Sequence, residues 1–530
     1  MSEEFVIADT KYGKVRGQKI ISEVEIPYIR FLGIPYAKPP VGNRRFQAAE
    51  EPDAWDDVID ALEEPQPSAG KNNYINKFVG SEDCLYLNVY TKCINPKKPM
   101  ATIVYIHGGG FYSGSSTLHS YSPDYILMHD VVMVIFNYRL GPHGFLKLND
   151  KSLNIPGNAG MKDQQLVLKF VKENIKNFGG DPNNVTLMGH SSGAGCVGLH
   201  CMSETSKGFF HRAIALSGSP SFIMYDVKQL DWAKKLAEKL EFKGDLENER
   251  EILKFLENYD ILKMAEVAPT ITTSDAQKKG IFLPFGPCVE DLVNETSFMT
   301  KSPIDLMTTA WSKDIDIITG GTIDEGIIFF KNRGVDLSGD IPKELNLDEN
   351  EPKFQEFIKR LEDFYFTKFE SKEKAQVKIK GDSFIWRYIH QFTKARAHSG
   401  GKGKTFLYNF AVDSPTQNHY RIRQIGPDAK GVSHADELSY FWKNGQGGVP
   451  PKDSMEWEAI LRFTSSIAEF VMTGNPNNKK LGDVKWLPVS SEPFEGLIFN
   501  EELKFQPLDE CERAHKIWEQ FYHETGTKYF

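Results

Sequence analysis

The sequence predicts an α/β fold: an open, mostly parallel central sheet with helices on both faces and further helices carried over one end. Three observations predict it. Residues 101–106 and 131–136 are short β-branched apolar runs, as expected of strands covered on both faces. Between 163 and 178, apolar residues at 167, 170, 171, 175 and 178 make one helical stripe, with Lys and Glu on the other face. Residues 185–188 then run as a strand into Gly189-His190-Ser191-Ser192-Gly193, and small helix-tolerant residues follow. Strand, helix, strand, turn, helix is the order of a parallel sheet with crossover helices.

The remaining elements follow in order. Residues 5–20 and 24–36 read as short peripheral strands with a turn at Lys11-Tyr12-Gly13, whereas 31–42 is too rich in Pro and Gly for a regular element. Residues 84–91 alternate as a strand, and Gly179-Gly180-Asp181-Pro182 stops the 163–178 helix. Residues 210–216 read as a strand ending at Ser217-Gly218-Ser219-Pro220, and 229–266 as two or three amphipathic surface helices. A short strand at 316–319 ends in Gly320-Gly321-Thr322, 335–400 is polar and helical, and 405–410 is one more core strand. No repeat, low-complexity tract or dividing linker interrupts the chain, so residues 1–530 are expected to form a single domain.

Composition narrows the function. The 530 residues are 40% apolar and 12% aromatic, ample for a large core. A net charge of −9 gives no electrostatic footprint for nucleic acid or an anionic membrane and favours neutral or cationic ligands. No apolar run is long enough for a transmembrane segment. The acidic start Met1-Ser2-Glu3-Glu4 lacks a signal-peptide core, and six cysteines without Cys-x-x-Cys read as free thiols in a reducing compartment. A cytoplasmic protein is the expectation, with the sequons at Asn184 and Asn294 unused. No metal or cofactor motif is present, so none is expected.

Gly189-His190-Ser191-Ser192-Gly193 has the form of a nucleophile elbow, a strand-to-helix turn that exposes a serine hydroxyl. Alone the motif is weak, since chance gives roughly 0.2 matches in a chain this long. A serine nucleophile also needs a base, an acid to orient that base, and donors for an oxyanion. Candidates stand after core strands. Asp324 and Glu325 follow the strand at 316–319, and His419 and His434 follow the strand at 405–410. Composition does not choose within either pair. Gly108-Gly109-Gly110, directly after the 101–106 strand, offers bare backbone N–H groups, to which the N–H of Ser192 adds another. A phosphate cradle is the competing reading of the triglycine, but no Gly-Lys-Ser/Thr accompanies it.

With these blocks in view, the chain resembles the type-B carboxylesterase and cholinesterase family of α/β hydrolases along essentially its whole length. The resemblance rests on residues 31–42 with Arg45-Phe46, 81–88, 107–111, 137–141, 157–164, 178–182, the elbow, Asp324-Glu325-Gly326 and 431–438. The elbow and the missing signal look most like intracellular insect α-esterases. It implies Ser191 as nucleophile, Glu325 as acid, His434 as base, and an oxyanion hole from the N–H groups of Gly109, Gly110 and Ser192. His190, Met224, Ile328 and Phe329 match substrate-pocket positions, and Ser217 and Glu437 match a polar network behind the triad.

Departures from the family pattern carry information. His190 stands where the family commonly has Glu, which argues against a choline ester; Met224 stands where Trp is common, which implies a roomier acyl pocket. The family's usual disulfide partner for Cys84 is absent, in keeping with free thiols. The implied activity is hydrolysis of xenobiotic or lipid-derived small-molecule esters, with organophosphates and carbamates as acylating inhibitors. A dedicated lipase or hormone esterase is the alternative enzyme. A non-catalytic binding or sequestering protein is the alternative from another class.

Overall fold

The computed structural model describes residues 4–220, 231–273, 284–332 and 337–530. In chain order its strands are β1 (Phe5–Asp9), β2 (Lys14–Ile21), β3 (Pro27–Pro35), β4 (Ile59–Asp60), β5 (Gly70–Asn72), β6 (Lys77–Val79), β7 (Tyr86–Thr91) and β8 (Met100–Ile106). There follow β9 (Val131–Phe136), β10 (Gly180–His190), β11 (Arg212–Leu216), β12 (Asp316–Thr322), β13 (Thr405–Phe410), β14 (Glu495–Phe499) and β15 (Lys504–Pro507). β5 and β6 form a small hairpin, and the other thirteen make one sheet in the order β1-β2-β3-β7-β9-β8-β10-β11-β12-β13-β14-β15, with β4 beside β2. From β9 to β14 every pairing is parallel, while the outer strands on both sides pair antiparallel, except β4, which runs parallel to β2.

The longer helices are α1 (Ala159–Asn174), α2 (Ser192–Met202), α3 (Trp232–Lys239), α4 (Glu249–Glu257), α5 (Ile261–Val267) and α6 (Pro352–Lys368). They continue with α7 (Lys372–Gly381), α8 (Arg387–His398), α9 (His419–Ile425), α10 (Met455–Thr473) and α11 (Asp509–Thr525). The central strands are apolar on both sides because each side faces its own core. Along β8, Val104 and Ile106 enter one core and Ile103 and Tyr105 the other, and β9 alternates in the same way. α1 covers the first core with Val167, Phe170 and Val171, and α10 covers the second with Phe463, Ile467 and Phe470. The predicted helix of 163–178 is α1 continued by a 3₁₀ turn, and it stops at Gly179, whose φ is 84°. β10 begins at Gly180, five residues before the strand read from the sequence, with a register shift before Val185.

Of the two or three amphipathic helices expected within 229–266, the described residues hold three, α3, α4 and α5. β3 runs on to Pro35, into the stretch expected to be irregular, because its Pro and Gly fall at the strand's end and at a register irregularity. α6, α7 and α8 fill the polar 335–400 stretch, and α6 shares a third core with α11, where Phe357 stacks on Phe521 at 3.8 Å. Beneath the loops at the carboxyl ends of β8 and β9 lies a buried ion pair. Arg139 and Asp163, both fully buried, are joined through two guanidinium nitrogens (2.8 and 2.6 Å) and the Arg139 backbone N–H (3.1 Å). Arg139 also reaches the carbonyls of Arg45 and Gln47 at 3.1 and 2.8 Å. The next N–H but one, that of Gly141, donates to Phe111 O at 2.6 Å. The blocks at 45–46, 137–141 and 157–164 are thus a brace for the loop that carries the triglycine. Such a pair holds a loop in register; its net worth to stability is small against the cost of breaking it.

Candidate active site

Ser191 sits between the last residue of β10 and the first of α2, with φ 57° and ψ −124°. No L-residue takes these angles without strain, so the turn must be over-determined around it. It is: Ser191 N–H donates to Leu216 O of the neighbouring β11 at 2.8 Å, and Ser191 O accepts from Gly195 at 3.0 Å. The flanking glycines are required by close approach. A Cβ on Gly189 would lie 2.4 Å from Gly193 O, and one on Gly193 would lie 2.2 Å from Ile106 O.

Two neighbouring strands bring up the other groups. Glu325 begins the 3₁₀ helix that follows β12, and His434 lies in the loop after β13. His434 Nδ1 donates to Glu325 Oε2 at 2.5 Å, and both side chains are buried. Burial disfavours the His434 imidazolium, but the charge of Glu325 and its hydrogen bond, aided by Glu437 and Asp436, outweigh burial and raise the pKa above 6.5. The two carboxylates and the two histidines left open by composition have different surroundings. Asp324 turns away from His434, accepting Val432 N–H at 3.1 Å and pairing with Lys378 at 3.3 Å. His419 lies in α9, apart from either carboxylate. Ser191 Oγ and His434 Nε2 have no hydrogen-bond partner among the described residues. Their mutual contact is open at rest, as is common before substrate binds.

The triglycine follows β8, the strand next to β10, and Gly109 and Gly110 have φ of 121° and 64°. The N–H groups of Gly109 and Ser192 have no acceptor among the described residues. The Gly110 N–H donates to Ser192 Oγ at 3.0 Å.

Behind His434 lies a sealed polar cluster. Ser217 Oγ donates to Glu325 Oε1 at 2.6 Å and contacts Glu437 Oε1; Glu325 Oε1 also accepts Thr322 N–H at 2.7 Å. Ser217 has one hydrogen for two carboxylates, so Glu437 must bring a proton of its own. Burial, and then the charge of Glu325, raise the Glu437 pKa well above the usual carboxylate range, in agreement. His190 is buried with its ring 4.7 Å from that of His434 and its Nε2 3.6 Å from Glu437 Oε1. Burial, with His434 second, holds His190 well below 6.5, so it is neutral. Its side chain faces the cluster rather than solvent.

Of the remaining expected pocket residues, Ile328 is exposed on the turn after Glu325, and Phe329 packs against Phe384 at 5.0 Å. Met224 lies outside the described residues. Among the described residues no cluster of His, Cys, Asp and Glu could hold a metal, and no helix is long and apolar enough to cross a membrane.

The carboxylesterase family model matches residues 4–516 of this chain. The chain belongs to the carboxylesterase family. Esterase B1 of Culex pipiens is 37% identical over 489 residues, covering 90% of both chains, and juvenile hormone esterase of Tribolium castaneum is 31% identical, covering 92% of this chain and 86% of that one. Among solved structures, juvenile hormone esterase from Manduca sexta, with OTFP covalently attached, superposes with a TM-score of 0.85 at 27% identity. The match covers 98% of this chain and 100% of that one. This carboxylesterase therefore has the α/β-hydrolase fold and is a carboxylic ester hydrolase.

Proposed function

We propose that Ser191 is the nucleophile of a two-step acyl transfer, with His434 as base, Glu325 as its orienting acid, and the N–H groups of Gly109, Gly110 and Ser192 around the oxyanion. The observation that carries this reading is the 2.5 Å bond from His434 Nδ1 to Glu325 Oε2, on loops beside a strained serine turn. His434 takes the Ser191 proton as Oγ attacks the ester carbonyl, and the tetrahedral oxyanion rests against the backbone donors. The alcohol leaves with that proton, and water repeats the sequence on the acyl-enzyme. Glu325 remains ionised, fixing the imidazole tautomer and offsetting its transient charge.

The substrates are small esters of broad type, xenobiotic or lipid-derived, and organophosphates and carbamates acylate the same serine. Neutral His190 places no negative charge beneath the site, which fits uncharged rather than cholinium esters. The two juvenile hormone esterases among the relatives favour a second reading, a dedicated hormone esterase. Initial rates on para-nitrophenyl esters of increasing acyl length, for wild type and Ser191→Ala, test both. A shallow optimum supports a generalist and a steep one a dedicated enzyme; activity retained in Ser191→Ala overturns the assignment of the nucleophile. Recovery after reaction with an organophosphate separates turnover from stoichiometric sequestration.

A further inference from the structure

Arg423, on α9, is a half-buried cation held by two rings. Its guanidinium carbon lies 4.7 Å from the centre of the Tyr74 ring and 5.0 Å from that of Tyr420. It has no hydrogen-bond or ion-pair partner among the described residues. The nearby carboxylate of Asp413 is taken by Arg421, which also binds Gly431 O at 2.6 Å and Ser414 O at 2.8 Å. The tyrosine faces orient the cation and leave its planar N–H donors unused, an arrangement that suits a carboxylate.

Its place in the molecule ties it to the ester site. α9 is fixed to the His434 loop by Arg421, whose backbone N–H donates to Asp436 Oδ1 at 3.0 Å. Tyr74 belongs to the β5–β6 hairpin, which is fixed to the triglycine loop. Asn73 Nδ2 donates to Ser113 Oγ at 3.2 Å, and Ser113 Oγ donates to Gly109 O at 2.9 Å. Arg423 therefore bridges the segments that carry the base and the oxyanion donors. On the serine-esterase reading the base delivers its proton to the leaving alcohol, and α9 is tied to the loop of that base.

We propose that Arg423, clamped between Tyr74 and Tyr420, binds a carboxylate carried on the alcohol portion of the ester. The proposal rests on the serine-esterase reading above and adds a substrate class to it. The net charge of −9 opposes anions only at long range, where salt screens it. The guanidinium charge itself turns away cationic alcohols.

The test compares meta-carboxyphenyl acetate with its neutral isostere, meta-carbamoylphenyl acetate, in wild type, Arg423→Gln and Arg423→Lys. The ratio of kcat/KM for the two esters cancels their intrinsic reactivities. It is expected to fall about tenfold in Arg423→Gln, through KM, with the carbamoyl ester unchanged and Arg423→Lys intermediate. An unchanged ratio, or an equal loss on both esters, overturns the proposal, the latter marking Arg423 as a packing residue. Wild type inactive on the carbamoyl ester and on phenyl acetate would instead defeat the serine-esterase reading itself.

Discussion

Asp324 and Val432 are joined by two hydrogen bonds: Asp324 N–H donates to Val432 O, and Val432 N–H donates to Asp324 Oδ2, both at 3.1 Å. One residue precedes Glu325 and the other stands two before His434, so the link fixes the separation of the proposed acid and base. Lys378 of α7 anchors the link, donating to Ile323 O at 2.7 Å. Asp324→Ala orphans the Val432 N–H and loosens that separation. The expected result is a fall in kcat of about ten- to a hundredfold with little change in KM, because small misplacements are costly in catalysis. Asp324→Asn, which keeps an acceptor, should restore most of the rate. Steady-state kinetics that show a KM effect alone would count against the link.

The pH profile follows from the His434–Glu325 bond. The base works neutral, so activity is lost as pH falls through the His434 pKa. That pKa is raised above 6.5, which places the midpoint of the acid limb above the ordinary histidine value. Glu325→Gln removes the charge that raises it and the acceptor that selects the tautomer. A loss of about 10³- to 10⁴-fold in kcat is expected, with the residual acid limb moved to lower pH. An acid limb unmoved by the substitution would assign it to another group.

Glu437 is predicted to differ from Glu325 although both touch Ser217. If Glu437 carries a proton, Glu437→Gln is nearly isosteric and should leave kcat within about threefold of wild type. Stability gives an independent sign. The folded-state pKa is raised above 4.5, so the stability linked to this proton is full below that value and is lost as pH rises through the folded pKa. Glu437→Gln has no proton to lose, and its melting temperature should fall less than that of wild type as pH rises from 4.5 to about 8. Parallel curves for the two proteins would refute the protonated form.

What the sequence made legible and what it hid have physical reasons. The run at 131–136 is a strand at those bounds because it is short, β-branched and flanked by Asp130 and Asn137, and that at 405–410 because aromatic and apolar residues dominate it. Asp324 and Glu325 are indistinguishable in sequence because spacing places two carboxylates on one turn without saying that one meets Val432 N–H and Lys378 while the other meets His434. Beyond 438, α10 packs on the second core and β14 and β15 complete the sheet edge. α10 is capped by Ser454, whose Oγ accepts Trp457 N–H, a start signal that was available. The edge strands are five and four residues long, too short for their pattern to speak.

The bond from Gly110 N–H to Ser192 Oγ sets the last prediction. A donor already engaged by a hydroxyl has to be shared or released when the oxyanion forms, so the hydroxyl competes with the transition state. Ser192→Ala removes the competitor while keeping the Ser192 backbone N–H in place, and kcat on simple acetate esters should rise about two- to fivefold. Ser192→Thr keeps the hydroxyl and should stay near wild type if the helix tolerates the added methyl. A fall of about tenfold or more in Ser192→Ala, rescued by Ser192→Thr, would mean that the hydroxyl is itself a donor to the oxyanion. Pre-steady-state rates of acylation, measured by the burst of para-nitrophenol, read this step directly and separate it from any change in the release of the acyl group.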